Sequence, residues 1–110
     1  MAFDNKISSI SCPQDAVGSI VLSIAGRDAK RMFVITSLCE ASLDGAAYVY
    51  VADGNLRKVG KPKKKKIKHL TFLAASTKVW HERVVAGDIT DSELRTILRE
   101  FKQELTTQNS

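Results

Sequence analysis

The chain has 110 residues, of which 44% are hydrophobic and 26% charged, with a net charge of +5 and two cysteines. This length and composition fit one globular domain, and they argue against two large domains, a disordered chain or a disulfide framework. Because no apolar run reaches the length of a signal peptide or a membrane span, we expect a cytoplasmic protein with reduced thiols and no membrane contact.

The first predicted elements are an N-terminal segment and a strand. Residues 1–16 are polar and lack periodicity, so a flexible segment is expected there. Ile20, Leu22 and Ile24 then alternate with Ser19, Val21 and Ser23. This period of two predicts a first strand whose buried face carries the three larger residues.

Four further strands are predicted between residues 32 and 73. The segments 32–38 (MFVITSL) and 48–52 (YVYVA) are rich in β-branched and aromatic residues. Asp53-Gly54 favours a tight hairpin, after which 55–59 would pair back as the fourth strand. The segment 66–73 would be the fifth strand. Five short strands without helices between them indicate a small barrel or sandwich over residues 17–73.

Residues 74–110 change character and predict a linker followed by one helix. Thr90 and Glu93 have the spacing of a capping box, and the helix is expected over 91–105. Its apolar residues recur at helical spacing and would pack on the barrel or on Trp80. They are Leu94, Ile97, Leu98, Phe101 and Leu105. The charged residues Glu93, Arg95, Arg99, Glu100 and Lys102 are interpreted as a solvated outer face.

The positive charge is concentrated in the middle of the chain. Residues 17–74 contain eleven Lys and Arg against four Asp and Glu, a net of +7, whereas the segments on either side each have a net of −1. Within this region, residues 57–68 contain eight cations and no anion. Lysine contacts phosphate as a point charge, so this lysine-rich loop predicts a nucleic-acid partner. A solvated loop or a nuclear localisation signal is the alternative interpretation of the same run.

Residues 17–38, VGSIVLSIAGRDAKRMFVITSL, resemble the KOW motif, a strand–loop–strand unit of SH3-like barrels in ribosomal proteins and transcription factors. The residues that carry the resemblance are Gly26, Arg27, Asp28, Lys30 and Arg31. The following stretch, 48–70, is similar to the second half of bacterial KOW-domain RNA-binding proteins, which are related to the fourteen-e family of large-subunit ribosomal proteins. Together the two stretches cover about half the chain. The resemblance implies a five-stranded SH3-like barrel that binds ribosomal RNA.

The turn of this KOW-like segment departs from the family pattern at one position. The family has a second glycine where this chain has Lys30, preceded by Ala29. Either the turn adopts a different conformation here, or Lys30 takes the positive φ that glycine accepts easily.

Other chemistries have little support in the residues. Tyr48 and Tyr50 share one strand face and could stack on unpaired bases, but the favoured interpretation is that at least one of them covers the barrel core. Cys12, Cys39, His69 and His81 lack the close spacing of a zinc site, so no metal is expected. We also expect no cofactor, no small-molecule substrate and no enzymatic activity, because no nucleophile motif or phosphate loop is present.

The resulting hypothesis is an RNA-binding protein with a mainly β fold and one C-terminal amphipathic helix. Its partners would be RNA, in particular ribosomal RNA, and ribosomal proteins. The alternative is a protein-interaction module whose basic loop binds an acidic partner. The RNA-binding residues are predicted to be Gly26, Arg27, Lys30, Arg31, Arg57, Lys58, Lys61, Lys63, Lys64, Lys65, Lys66 and Lys68.

Overall fold

The computed structural model describes residues 16–27, 29–39 and 47–109, without the side chains of 105–109. Within these ranges the fold is mainly β, with one five-stranded antiparallel sheet followed by two helices. The strands are β1 (Ile20–Ser23), β2 (Met32–Leu38), β3 (Tyr48–Ala52), β4 (Lys63–Lys66) and β5 (Leu70–Ala74), and a 3₁₀ turn at Ile67–His69 precedes β5. The helices are α1 (Lys78–Ala86) and α2 (Asp91–Asn109).

The strand order in the sheet is β4-β3-β2-β1-β5. Strands β4 and β5 are therefore the two edges, and the hydrogen-bonded ladder of the described strands does not close into a barrel. The register shifts between Ile20 and Val21 and again between Ile35 and Ser37. Irregularities of this kind bend a strand and increase its twist, so the sheet is curved rather than flat.

One face of the sheet is buried by residues of the strands themselves. We call this cluster the inner core; it consists of Ala16, Val21, Phe33, Ile35, Val49, Val51 and Leu70. Ile67 of the 3₁₀ turn packs against it, and none of its members lies on α1 or α2. Val21 and Phe33 are nevertheless fully buried. The sheet must therefore curl over its own inner face to exclude water from these side chains.

The opposite face of the sheet is covered by the two helices. This outer core combines Val17, Ile20, Val34 and Ala52 with Val84, Ile89, Leu94, Ile97 and Leu98. Both faces of β1 are therefore buried, and the predicted single buried face is wrong. Val21 belongs to the inner core and is fully buried, whereas Ile24 lies beyond the strand and is 54% exposed.

The predicted second and third strands are confirmed, but the fourth strand is displaced. The lysine run that was expected to be a loop forms β4, and residues 55–59 form the loop instead. The carboxylate of Asp53 accepts hydrogen bonds from the backbone N–H groups of Asn55 and Arg57, both at 2.9 Å. Val59 N–H donates to Asp91 Oδ1 at 2.7 Å. Because side chains bind these backbone donors, the segment cannot use them to pair with β3.

The C-terminal helix is confirmed, together with its capping box. Thr90 N–H donates to Glu93 Oε1 at 3.1 Å, and Glu93 N–H donates back to Thr90 Oγ1 at 3.2 Å. The helix extends four residues beyond the predicted end at 105. Three of its predicted apolar residues, Leu94, Ile97 and Leu98, are buried in the outer core. Phe101 of this helix and Trp80 of α1 are partly buried and pack against the same cluster.

The predicted linker between sheet and helix contains α1, which was not predicted. Thr77 caps its start by accepting a hydrogen bond from Trp80 N–H at 3.3 Å, and Gly87 ends it in the left-handed conformation at φ 77°. The N-terminal segment 1–16, expected to be flexible, lies outside the described residues apart from Ala16, which is buried.

Candidate nucleic-acid interface

The four consecutive lysines of β4 alternate between the two faces of the sheet edge. β4 pairs with β3 in the register Tyr48↔Lys66, Val49↔Lys65, Tyr50↔Lys64 and Val51↔Lys63. Lys65 therefore lies beside inner-core residues and is only 8% exposed, whereas Lys64 is exposed. A lysine can bury its aliphatic stem in this way while its ammonium reaches the surface. Two of the four cations, Lys64 and Lys66, face the outer side of the sheet.

Tyr48 lies directly beneath these two outward-facing lysines. Its ring centroid is 4.7 Å from Lys64 Nζ and 5.9 Å from Lys66 Nζ, both within the range of a cation–π interaction. Tyr48 and Tyr50 are half-buried and lie on the face opposite to inner-core residues Val49 and Val51. They do not cover the inner core. Tyr48 instead holds two ammonium groups close together at the edge of the sheet.

The inward-facing Lys65 connects two segments of the chain. One is β4, which we call the lysine strand, and the other is the turn at residues 26–31, which we call the KOW-like turn. Its Nζ lies 3.7 Å from the position that a Cβ on Gly26 would occupy. The backbone N–H of Ile24 also donates to the carbonyl oxygen of His69 at 2.9 Å, which fixes the start of the turn against the 3₁₀ turn. Two segments that are about forty residues apart in the sequence thus meet at one surface.

The turn adopts a glycine-type conformation although Lys30 stands where the KOW motif that it resembles has a second glycine. Gly26 has φ 80° and Lys30 has φ 71°, and Lys30 is the one non-glycine residue with positive φ in the described ranges. The turn is closed by hydrogen bonds from Lys30 N–H to Ser23 O at 2.7 Å and from Ser23 N–H to Arg31 O at 2.9 Å. Of the two alternatives for this position, Lys30 therefore takes the positive φ. Arg27, Lys30 and Arg31 are all exposed, and Asp28 lies outside the described residues.

Replacing Lys30 with glycine should stabilise the protein. A non-glycine residue in the left-handed region destabilises the folded state by about 1–2 kcal/mol. Glycine removes this strain but also gives the unfolded chain more conformational entropy, which offsets part of the gain. A net increase of about 0.5–1 kcal/mol in the free energy of unfolding is therefore expected. Lys30→Ala is the matched control, because it removes the same cation but keeps a Cβ at positive φ. Chemical denaturation should rank Lys30→Gly above both the wild type and Lys30→Ala. Equal stability of the two variants would mean that the turn relaxes in solution.

The remaining predicted site residues lie on two connecting segments. Arg57, Lys58 and Lys61 belong to the loop between β3 and β4, which is held against the first turn of α2 by the Val59–Asp91 hydrogen bond. Arg57 is half-buried there, and Lys58 and Lys61 are exposed. Lys68 is exposed on the 3₁₀ turn. The structure thus brings the turn and the lysine strand together and places the loop cations nearer to α2.

Three cations that sequence reasoning did not assign to the site lie close to the KOW-like turn. Arg95, Arg99 and Lys102 of α2 line a cavity of about 380 Å³ together with Lys30 and Arg31. Their spacing of four and three residues places them on one helix stripe, which is the signal that could have identified them. The direction in which α2 docks on the sheet was needed to know what that stripe would face.

The described residues also bear on metal binding and on membrane insertion. No group of three or more His, Cys, Asp or Glu side chains in those ranges is arranged to hold a metal ion, and Cys12 lies outside them. Neither of the described helices combines the length and the hydrophobicity that crossing a membrane requires.

Comparison of the chain with protein-family models gives no match. Comparison with curated proteins gives no significant match either.

Proposed function

We propose that the protein binds structured RNA through its phosphate backbone, using cations of the lysine strand and of the KOW-like turn. The observation that carries this proposal is the position of Lys65, whose ammonium lies at Gly26 while its neighbours Lys64 and Lys66 project from the other face. Cations from two distant segments are thereby concentrated at one edge. A surface with this density of cations attracts a polyanion such as an RNA backbone.

The fold that we propose for this function is the SH3-like arrangement of KOW proteins. The strand order β4-β3-β2-β1-β5 and the 3₁₀ turn before β5 support it. The inner core supports it further, because a sheet that buries its own inner face needs only a small additional curl to form a barrel. The positive φ at Gly26 and Lys30 matches the conformation that a two-glycine turn would favour.

The proposed RNA is ribosomal, and the proposed location is the cytoplasm, in contact with a ribosomal particle. This part follows from the resemblance of residues 17–70 to KOW-domain proteins. Sedimentation of cell extracts through a gradient, followed by crosslinking and sequencing of the attached RNA, tests it directly. Co-migration with a ribosomal subunit and crosslinks to ribosomal RNA are expected. A protein that stays at the top of the gradient and crosslinks to no RNA would contradict the proposal, and recovery with an acidic protein would favour the interaction-module alternative.

Replacing Lys64 and Lys66 with threonine should weaken RNA binding and reduce its salt dependence. Each lost phosphate contact removes about 0.7–0.9 from the slope of log affinity against log salt concentration, so the slope should fall by at most about 1.4–1.8. At about 0.15 M salt this corresponds to roughly 10- to 30-fold weaker binding. Threonine is suited to a strand, so β4 should remain paired. Fluorescence anisotropy with a labelled RNA hairpin at several salt concentrations measures both quantities.

The control for this variant is Lys78→Glu, which changes the net charge by the same two units at an exposed position on α1. It should leave the salt slope unchanged if the lysines act through contact rather than through total charge. Lysines on an edge strand also prevent two sheets from pairing edge to edge. If that were their whole role, Lys64→Thr/Lys66→Thr would self-associate in analytical ultracentrifugation while its salt slope stayed at the wild-type value.

A further inference from the structure

The charged residues of α2 are separated onto two flanks of the helix. At about 100° per residue, Arg95, Arg99 and Lys102 fall within about 60° of one another, on one side of the buried apolar face. Glu93, Glu100 and Glu104 form a second stripe about 160° away, on the other side of that face. The helix therefore has a basic flank and an acidic flank, which its small net charge conceals.

The two flanks face different parts of the molecule. On the acidic side, Glu93 forms an ion pair with Arg83 of α1 at 2.7 Å, and Glu100 and Glu104 line a crevice beside Trp80. On the basic side, the helix faces the turn that contains Lys30 and Arg31. Docking of α2 thus adds three cations to those of the KOW-like turn and keeps Glu93, Glu100 and Glu104 on the other flank, whereas Asp91 on the basic side accepts a hydrogen bond from Val59 N–H.

The space between the basic flank and the turn is a cleft of about 380 Å³, which we call the basic cleft. Its walls are formed by Lys30, Arg31, Met32, Asp53, Asn55, Arg95, Leu98, Arg99 and Lys102. Five of these residues are cations and one is an anion, so the described lining has a net charge of +4.

Two side chains that line the basic cleft, those of Asp53 and Arg95, are fixed by hydrogen bonds to the backbone. Asp53, the one carboxylate among the described lining residues, is buried, and its Oδ1 already accepts two backbone N–H groups. Arg95 donates from Nη1 to the carbonyl oxygen of Gly54, which fixes its guanidinium at the wall. All five cations are on exposed residues, so the cleft opens to solvent. A cleft with this net charge attracts an anion.

We infer that the basic cleft is a second phosphate-binding site that holds the sugar-phosphate backbone of the same RNA. The inference rests on the proposed function and extends it to residues 95, 99 and 102. Met32 and Leu98 are the two apolar residues of the described lining, whereas pockets for small ligands are mostly apolar and enclose most of the ligand surface. An open, cationic cleft suits a backbone that passes through it. Guanidinium groups also bind phosphate oxygens in a two-pronged geometry that lysine cannot provide.

The KOW-like turn connects the basic cleft to the lysine strand. Gly26 lies at the ammonium of Lys65, and Lys30 and Arg31, four and five residues later, line the cleft. An RNA backbone that contacts the exposed cations of the turn is therefore led into the cleft.

The test is the double variant Arg99→Gln/Lys102→Gln, because both residues are exposed and the anchored Arg95 is left intact. Binding of a fluorescein-labelled RNA hairpin should weaken roughly 10- to 30-fold at about 0.15 M salt, and the salt slope should fall by about 1.4–1.8 at most. The charge-matched control Lys78→Glu should show neither change. The thermal unfolding midpoint should remain at the wild-type value, since neither side chain belongs to the outer core.

The outcomes separate this inference from the proposed function. If Lys64→Thr/Lys66→Thr weakens binding but Arg99→Gln/Lys102→Gln does not, the cleft inference fails and the proposed function stands. If the wild type binds no RNA, both fail. A titration with AMP and with inorganic pyrophosphate tests whether the cleft binds a small phosphate-containing ligand instead. Saturable binding of either that is lost in Arg99→Gln/Lys102→Gln, with RNA affinity unchanged, would make the cleft a small-molecule site and overturn the inference.

Discussion

Replacing Gly54 with alanine should destabilise the protein by about 3 kcal/mol or more, a larger loss than the same change at Gly60 or Gly87. Gly54 has φ 77°, and a Cβ on it would lie inside van der Waals contact of the Asp91 carbonyl oxygen, 3.0 Å from the carbonyl carbon and 3.2 Å from Arg95 Cγ. The first two obstacles are backbone atoms of α2. The methyl group can be accommodated only if the loop and the helix move apart.

Such a movement would also break the polar contacts that fix the loop to α2. These are the hydrogen bond from Val59 N–H to Asp91 Oδ1 and the hydrogen bond from Arg95 to the Gly54 carbonyl oxygen. Leu94, fully buried in the outer core, lies between the two α2 residues involved. The unfolding midpoint should therefore fall by more than about 10 °C for a domain of this size.

Two other glycines provide matched controls that separate the steric clash of the added Cβ from the strain of a positive φ. Gly87 has the same φ of 77°, but a Cβ on it meets nothing within 4 Å, so Gly87→Ala should cost only the conformational strain, about 1 kcal/mol. Gly60 lacks both the positive φ and any neighbour within 4 Å, and Gly60→Ala should be close to neutral. If Gly54→Ala proved no worse than Gly87→Ala in chemical denaturation, the loop would not be packed tightly on α2.

The central strands were predicted correctly because their own residues have a high preference for strands. β2 and β3 contain dense β-branched and aromatic residues, and their predicted bounds coincide with the observed Met32–Leu38 and Tyr48–Ala52. The capping box at Thr90 was likewise predictable, since both of its members lie within one helical turn. In each case the residues that determine the structure are neighbours in the sequence.

The fourth strand was misplaced because a distant residue decides its position. Val59 N–H is bound by Asp91, which is 32 residues away, so nothing near residue 59 shows that its donor is unavailable to a ladder. Lysine has a low preference for strands, yet β4 forms where β3 has an unpaired edge. α1 was missed for a different reason. Val79 and Val85 are 65% and 53% exposed, so its apolar residues do not mark a buried face.

The candidate site was predictable in composition but not in shape. The positive φ at Gly26 and the dense run of cations follow from residues 26–31 and 57–68. The position of the basic flank of α2 could not be predicted, because Arg95, Arg99 and Lys102 face the turn only after the apolar face of the helix has docked on the sheet. These residues are exposed, as the predicted solvated face requires, and they also line a cleft whose other wall is about seventy residues earlier in the chain.

Combining the two sets of substitutions should have the largest effect on RNA binding. The variant Lys64→Thr/Lys66→Thr/Arg99→Gln/Lys102→Gln removes four proposed phosphate contacts, so the salt slope should fall by at most about 2.8–3.6. At about 0.15 M salt, affinity should fall roughly 200- to 900-fold. Both sets are solvent-facing, so the folded state should persist, and far-ultraviolet circular dichroism with a thermal melt provides that check.

The size of the combined loss distinguishes one RNA on both surfaces from two separate sites. If a single backbone contacts the lysine strand and the basic cleft together, the free-energy losses of the two double variants should add, because distant contacts to one ligand are nearly independent. The fold-losses in affinity would then multiply. If each surface instead bound RNA alone, either one could sustain binding after loss of the other. Each double variant would then bind almost as well as the wild type, and only the combined variant would lose affinity.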